Sequence, residues 1–143
     1  MDKKITDSGA KAYQRSDTEW RLKPYSDWHR TLDRRLLMAD VDFIEWRYHH
    51  GELVPVGVME VSRVDRNRTV TPGYLNAICR RFEQRDMQAR IARKVAAALQ
   101  TKAYIVLFRE DCREFWVYNL SDRQGWQHFD SVQMELFLKR LEK

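Results

Sequence analysis

Hydrophobic and polar positions change period along the chain, and each change marks an element. Residues 37–48 alternate, with Val41, Phe43 and Glu45 on one side and Asp40, Asp42, Ile44 and Trp46 on the other. "HHGE" interrupts them as a turn, with Gly51 free to adopt positive φ. Residues 53–63 return as a Val-rich strand in which Val54, Val56, Val58, Glu60 and Ser62 share a face, and Pro55 and Gly57 mark an edge or bulge. A helical period takes over after "TVTPGY", where Thr71 suits an N-cap and Pro72 the first helical position. That helix is expected to run to about Gln100 with a bend near 83–86, burying Ile78, Phe82, Ile91, Val95, Ala98 and Leu99.

The remainder is read the same way. "AYIVLF" is nearly all apolar, as a central strand covered on both faces must be. "EFWVYNL" is its partner, "SDRQGW" a loop, and "DSVQMELFLKRLEK" a closing helix capped by Asp130 or Ser131. Upstream, a helix starts near Ser16 or Asp17 and stops at Pro24, and Ser26 caps a second short helix or ordered loop. Residues 1–16 lack periodicity and read as a tail or weak helix, leaving 17–143 as one domain. The order α-β-β-α-β-β-α predicts an α/β fold, a small mixed sheet flanked by helices.

Composition narrows the class. The 143 residues suit one domain, and 43% hydrophobic with 12% aromatic content describes a folded chain. No apolar run approaches the roughly 20 residues of a membrane helix, and "MDKKITDSGAKAYQRSDTEW" has no apolar secretory core, so a cytoplasmic protein with no membrane partner is expected. Cys79 and Cys112 lack second ligands at zinc spacing and read as buried or half-buried free thiols. The net charge of +5 and the arginines between 63 and 94 fit a nucleic-acid partner, without requiring one.

The chemistry sits in the hairpin. A carboxylate inside a sheet is costly unless another group compensates it, and two carboxylates on adjacent strands do so by sharing a proton or holding a cation. With the turn centred at 50–52, Asp42 falls opposite Glu60. Hard oxygen ligands of this kind suit Mg²⁺. A competing reading leaves both acids exposed on an edge hairpin, paired with Arg47 or Arg63.

"ADVDFIEWR", a turn, and "VPVGVMEVSR" resemble the core of the PD-(D/E)xK nuclease superfamily: an acid on one strand, then a hairpin partner ending in Glu-x-Lys. The helix before the hairpin, the long helix after it and the following strands extend the resemblance over roughly residues 17 to 120. It implies a restriction-endonuclease-like fold and phosphodiester hydrolysis with Mg²⁺ or Mn²⁺. Asp42 and Glu60 would be the metal ligands and catalytic acids, Asp40 an additional ligand, and Glu19 an outer one. Gln84 or Gln88 would match the helix glutamine of some members. The lysine position is Ser62. Arg63 beside it faces the other way, so Arg81, Arg85 or Lys94 on the following helix would have to supply the missing positive charge. With Arg63, those three are also the expected nucleic-acid contacts.

The departure at Ser62 keeps two rivals open. One is a catalytically inactive binder of nucleic acid, or of a protein that binds it. The other is a protein–protein module, an inhibitor or assembly factor, acting with a partner or as a homodimer. A chain of this size and independence would suit a phage or mobile-element protein.

Overall fold

The computed structural model describes residues 18–85 and 87–142, with side chains from Trp20 onward. The expected tail at 1–16 and the side chain of Glu19 lie outside the described residues. The chain divides between Met38 and Ala39 into two units.

In the first unit, α1 spans Thr18–His29 and runs through Pro24. The expectation that Pro24 would end it is corrected, as is the separate helix start at Ser26. Proline removes one backbone donor from a helix, and the turns on either side continue, with Lys23 paired to Asp27 at 2.8 Å across the site.

The second unit is α/β. Five strands form one open mixed sheet in the order β1 (Phe43–His49), β2 (Glu52–Arg63), β3 (Ala103–Phe108), β4 (Glu114–Asn119) and β5 (Gln124–Asp130). Only β2 and β3 run parallel. Between them pass α2 (Pro72–Arg80), a π-helical turn (Arg81–Arg85) and α3 (Gln88–Ala98), and α4 (Ser131–Lys139) closes the chain. The segment 121–126 is therefore not simply a loop. The Asp122 backbone N–H donates to the Asn119 side-chain Oδ1 at 2.8 Å, closing a turn, and β5 follows.

Local chemistry explains the helix boundaries. The Thr71 side chain accepts from the Tyr74 N–H at 3.1 Å, with Pro72 in the first turn. Asp130 and Gln133 form a reciprocal capping box at the start of α4. The expected long helix is interrupted where the π-helical turn ends and Met87 takes a left-handed φ of 59°.

Two apolar clusters cover the two faces of the sheet. On one, Val58, Ile105, Leu107 and Trp116 meet Ile78, Phe82, Ala89, Ala92 and Ala96 from the helical crossover. On the other, Val56, Met59, Val106 and Val117 meet Met134 and Leu141. The buried stripe of α3 is thus made of alanines, whereas Ile91 and Val95 are half-buried and Ala98 is exposed. Small side chains let the helix backbone approach the sheet. Of the two thiols, Cys79 is half-buried and Cys112 exposed, which corrects the expectation for Cys112.

Candidate functional site

The hairpin register sets the site. Phe43 pairs with Met59 and Ile44 with Val58, so continuing the ladder by one step brings Asp42 opposite Glu60. The pairing then shifts between Glu45 and Trp46, because Glu45 faces Gly57 whereas Trp46 faces Pro55. Val56 is the extra residue of this bulge. It turns Val54 and Val56 toward the α4 side, where they pack with Met59. The expected common face of Val54, Val56, Val58, Glu60 and Ser62 therefore splits at the bulge, and only Val58, Glu60 and Ser62 remain together, on the side of the helical crossover.

Glu60 is buried, with 2% of its surface exposed, and is the one buried charged residue among those described. Its neighbour in β3 is Ile105, itself fully buried. Asp42 is exposed at the sheet margin. The two are tied by reciprocal bonds: the Asp42 N–H donates to Glu60 Oε2 at 3.1 Å, and the Val61 N–H donates to Asp42 Oδ2 at 2.9 Å. The two side chains also lie within hydrogen-bonding reach of each other, so a proton on Glu60 is shared toward Asp42.

Burial pushes the Glu60 carboxyl up to about 7. The Asp42 N–H opposes that shift, while the negative charge of Asp42, the side-chain hydrogen bond to it and then the charge of Asp40 add to it. A buried carboxylate facing two others is a site where a cation would relieve both desolvation and repulsion. The competing exposed-pair reading fails for Glu60, and its two supposed partners are occupied elsewhere. Arg47 pairs with Glu45 at 2.9 Å and gives a second N–H to the Leu138 carbonyl at 2.7 Å. Arg63 lies 3.8 Å from Glu110.

Asp40 is exposed and close enough to act on Glu60 through its charge. Among the described residues no group of three or more His, Cys, Asp or Glu side chains is arranged as a ready metal cage. The donor set is two carboxylates with a third nearby, which fits Mg²⁺ or Mn²⁺ completed by water and phosphate oxygens. It does not fit a metal that needs several protein ligands. Ser62 is half-buried on the Glu60 side of β2, opposite Leu107. Lys94 is exposed on the flank of α3 opposite Ala92 and Ala96, so it projects away from the sheet rather than toward Glu60. Arg81 lies over the Phe82 ring at 5.9 Å, and Arg85 is exposed at the end of the π-helical turn. Gln84 is exposed and Gln88 half-buried.

One group of residues had no place in the sequence reasoning. His128 stacks on buried Trp116 at 4.9 Å, and its Nε2 meets Glu114 Oε2 at 2.7 Å. Arg109 pairs with the same carboxylate at 3.2 Å and lies over the same indole at 5.4 Å. Arg109, Glu114 and His128 line an open groove of about 510 Å³ with Asp111, Arg113 and Asp130. Recognising it required β5, because only the pairing of Trp116 with His128 brings the group together. Within it Arg109 and His128 share the one Glu114 carboxylate.

Among the described residues no helix is long and apolar enough to cross a membrane. Comparison of the chain with protein-family models, curated proteins and solved structures finds no match.

Proposed function

We propose that this chain is a metal-dependent nuclease, hydrolysing DNA or RNA phosphodiesters at the Asp42–Glu60 pair on a restriction-endonuclease-like core. The observation that carries the reading is the buried Glu60 tied across the hairpin to Asp42. The helix before the hairpin and the parallel strand reached through a helical crossover accord with it.

In this reading Asp42 and Glu60 would hold Mg²⁺ through their carboxylate oxygens, in place of the proton they share, with Asp40 adding negative charge at the rim. The bound ion would supply Lewis acidity, activating a water and steadying the charge on the phosphate. The residues themselves do three things. The Val61 N–H fixes the Asp42 side chain, and the Asp42 N–H fixes that of Glu60, so both oxygens are pre-aimed. The apolar surroundings of Glu60, Val58 and Ile105 among them, make its charge costly unless a proton or cation meets it. Ser62, one step further along the same face, offers a hydroxyl where an ammonium would otherwise polarise the water, which predicts slow turnover.

The test is a cleavage assay on single-stranded, duplex and branched DNA and on RNA in Mg²⁺, Mn²⁺ or EDTA. Metal-dependent products that disappear in Glu60→Gln are expected. Unchanged cleavage in that variant would refute the site.

A second reading is favoured by Ser62: an inactive binder of nucleic acid that keeps the carboxylate pair as a structural clasp. It predicts binding in EDTA and no cleavage with any cation. Arg63, Arg81, Arg85 and Lys94 belong to both readings as phosphate contacts, and charge reversal at two of them is expected to weaken binding on all sequences alike.

A further inference from the structure

The clasped carboxylates are one end of a continuous row. On the same face of the hairpin, Ile44 follows Asp42 and lies opposite Val58. Trp46 comes next, opposite Pro55, and then Tyr48, opposite Leu53. These last two pairs stand beyond the point where β3 begins to pair with β2, at Val58. Trp46 is 46% exposed, Tyr48 43% and Leu53 46%. Aromatic side chains of this size normally bury most of roughly 150–250 Å² each.

We propose that Trp46 and Tyr48 form a stacking platform for unpaired nucleobases, so that the strand engaged by the carboxylate pair is single-stranded beside the reacting phosphate. This rests on the nuclease reading for the identity of the reacting group. The platform itself rests on the geometry of the hairpin.

Three observations favour this occupant. The first is alignment: Trp46 is four residues from Asp42 on one strand face, roughly 13 Å at the rise of a β-strand. A nucleic-acid strand passing the carboxylates along β1 meets the indole within a few nucleotides. The second is area. At about half exposure the three large side chains leave roughly 300 Å² of platform. That is well below the ~800 Å² per partner of a standard stable protein interface, and ample for one or two bases. The third is the net charge of the whole chain, +5, which draws a polyanion toward the molecule at long range. Stacking on aromatics accepts any base, because every base presents a π-face.

The experiment reads binding separately from cleavage. The full chain is titrated into fluorescein-labelled dT20, rU20 and a blunt 20-bp duplex in EDTA, with wild type, Trp46→Ala, Trp46→Phe and Tyr48→Ala. Thermal melts confirm that each variant is folded. Trp46→Ala is expected to weaken single-strand binding about tenfold or more. Trp46→Phe retains most of the affinity, Tyr48→Ala loses a smaller share, and duplex binding changes less than about twofold.

Three results overturn it: no single-strand binding by wild type, equal losses on duplex and single strand, or a wild-type dimer in sedimentation that Trp46→Ala dissociates. The last would assign the surface to a second copy of the chain. Parallel cleavage in Mg²⁺ keeps the two readings apart. Trp46-dependent binding without cleavage sinks the nuclease and keeps the platform. Cleavage with binding indifferent to Trp46 does the reverse.

Discussion

Glu60 is costly to bury and is held in place by its neighbour's backbone. Two consequences can be measured. Its carboxyl is raised to about 7 by burial, so the folded protein binds a proton that the unfolded chain, with an ordinary glutamate near 4.5, has released. Between those values the native state holds more protons than the unfolded one, and stability must fall as pH rises. Chemical denaturation without metal is expected to give a declining midpoint from pH 5 to pH 7.5 and a shallower dependence above it. Glu60→Gln should flatten the curve, and an unchanged slope would mean another group is responsible. The second consequence concerns the cation. If the carboxylates of Asp42 and Glu60 hold Mg²⁺, millimolar Mg²⁺ at pH 8 raises Tm in wild type, because binding to the native state alone stabilises it. Asp42→Asn keeps an acceptor for the Val61 N–H and should fold as well as wild type, yet show no such rise. A rise of equal size in Asp42→Asn would place the cation elsewhere.

At the scale of elements, the alanine face of α3 governs how closely the crossover approaches β2 and β3. Ala92→Leu inserts a bulky side chain between helix and sheet and is expected to cost about 1–3 kcal/mol, read as a lower denaturation midpoint with unchanged slope. Thr71→Ala removes the α2 cap and is expected to cost about 1 kcal/mol. Much of this scale was legible beforehand. Thr71–Pro72 announced α2, the all-apolar "AYIVLF" announced β3, and counting from Gly51 set Asp42 against Glu60. What escaped reading has identifiable physical causes. Pro55 and Gly57 signalled an edge or bulge, and a bulge forms at Val56, but the sequence did not show that it reverses the parity of half the strand. "QGWQHFD" has too few apolar residues to read as a strand alone, because β5 is an edge strand whose exposed positions tolerate Gln, His and Gly. Pro24 looked like a stop because the rule for helix interiors is strict, yet one lost donor is compatible with a helix whose other turns persist. The alanine stripe was missed because weighting by hydrophobicity favours Ile91 and Val95, whereas close packing selects the smallest side chains.

For the whole molecule, the division between Met38 and Ala39 separates what the proposed chemistry needs from what precedes it. Residues 39–142 contain all five strands, both apolar clusters and the three carboxylates Asp40, Asp42 and Glu60. A domain of about 100 residues with a core on each sheet face is within the range that folds alone. A fragment beginning at Ala39 is therefore expected to unfold in one cooperative transition, with near-UV aromatic dichroism from Trp116 and Trp126 intact. Since the donor set lies wholly inside it, the fragment should also keep the Mg²⁺-induced rise in Tm. A broad, non-cooperative melt with strong dye binding would show that the sheet depends on residues 1–38. A cooperative melt that no longer responds to Mg²⁺ would be the more informative failure. It would mean that the three acids are insufficient for the cation and that a further ligand comes from the first unit.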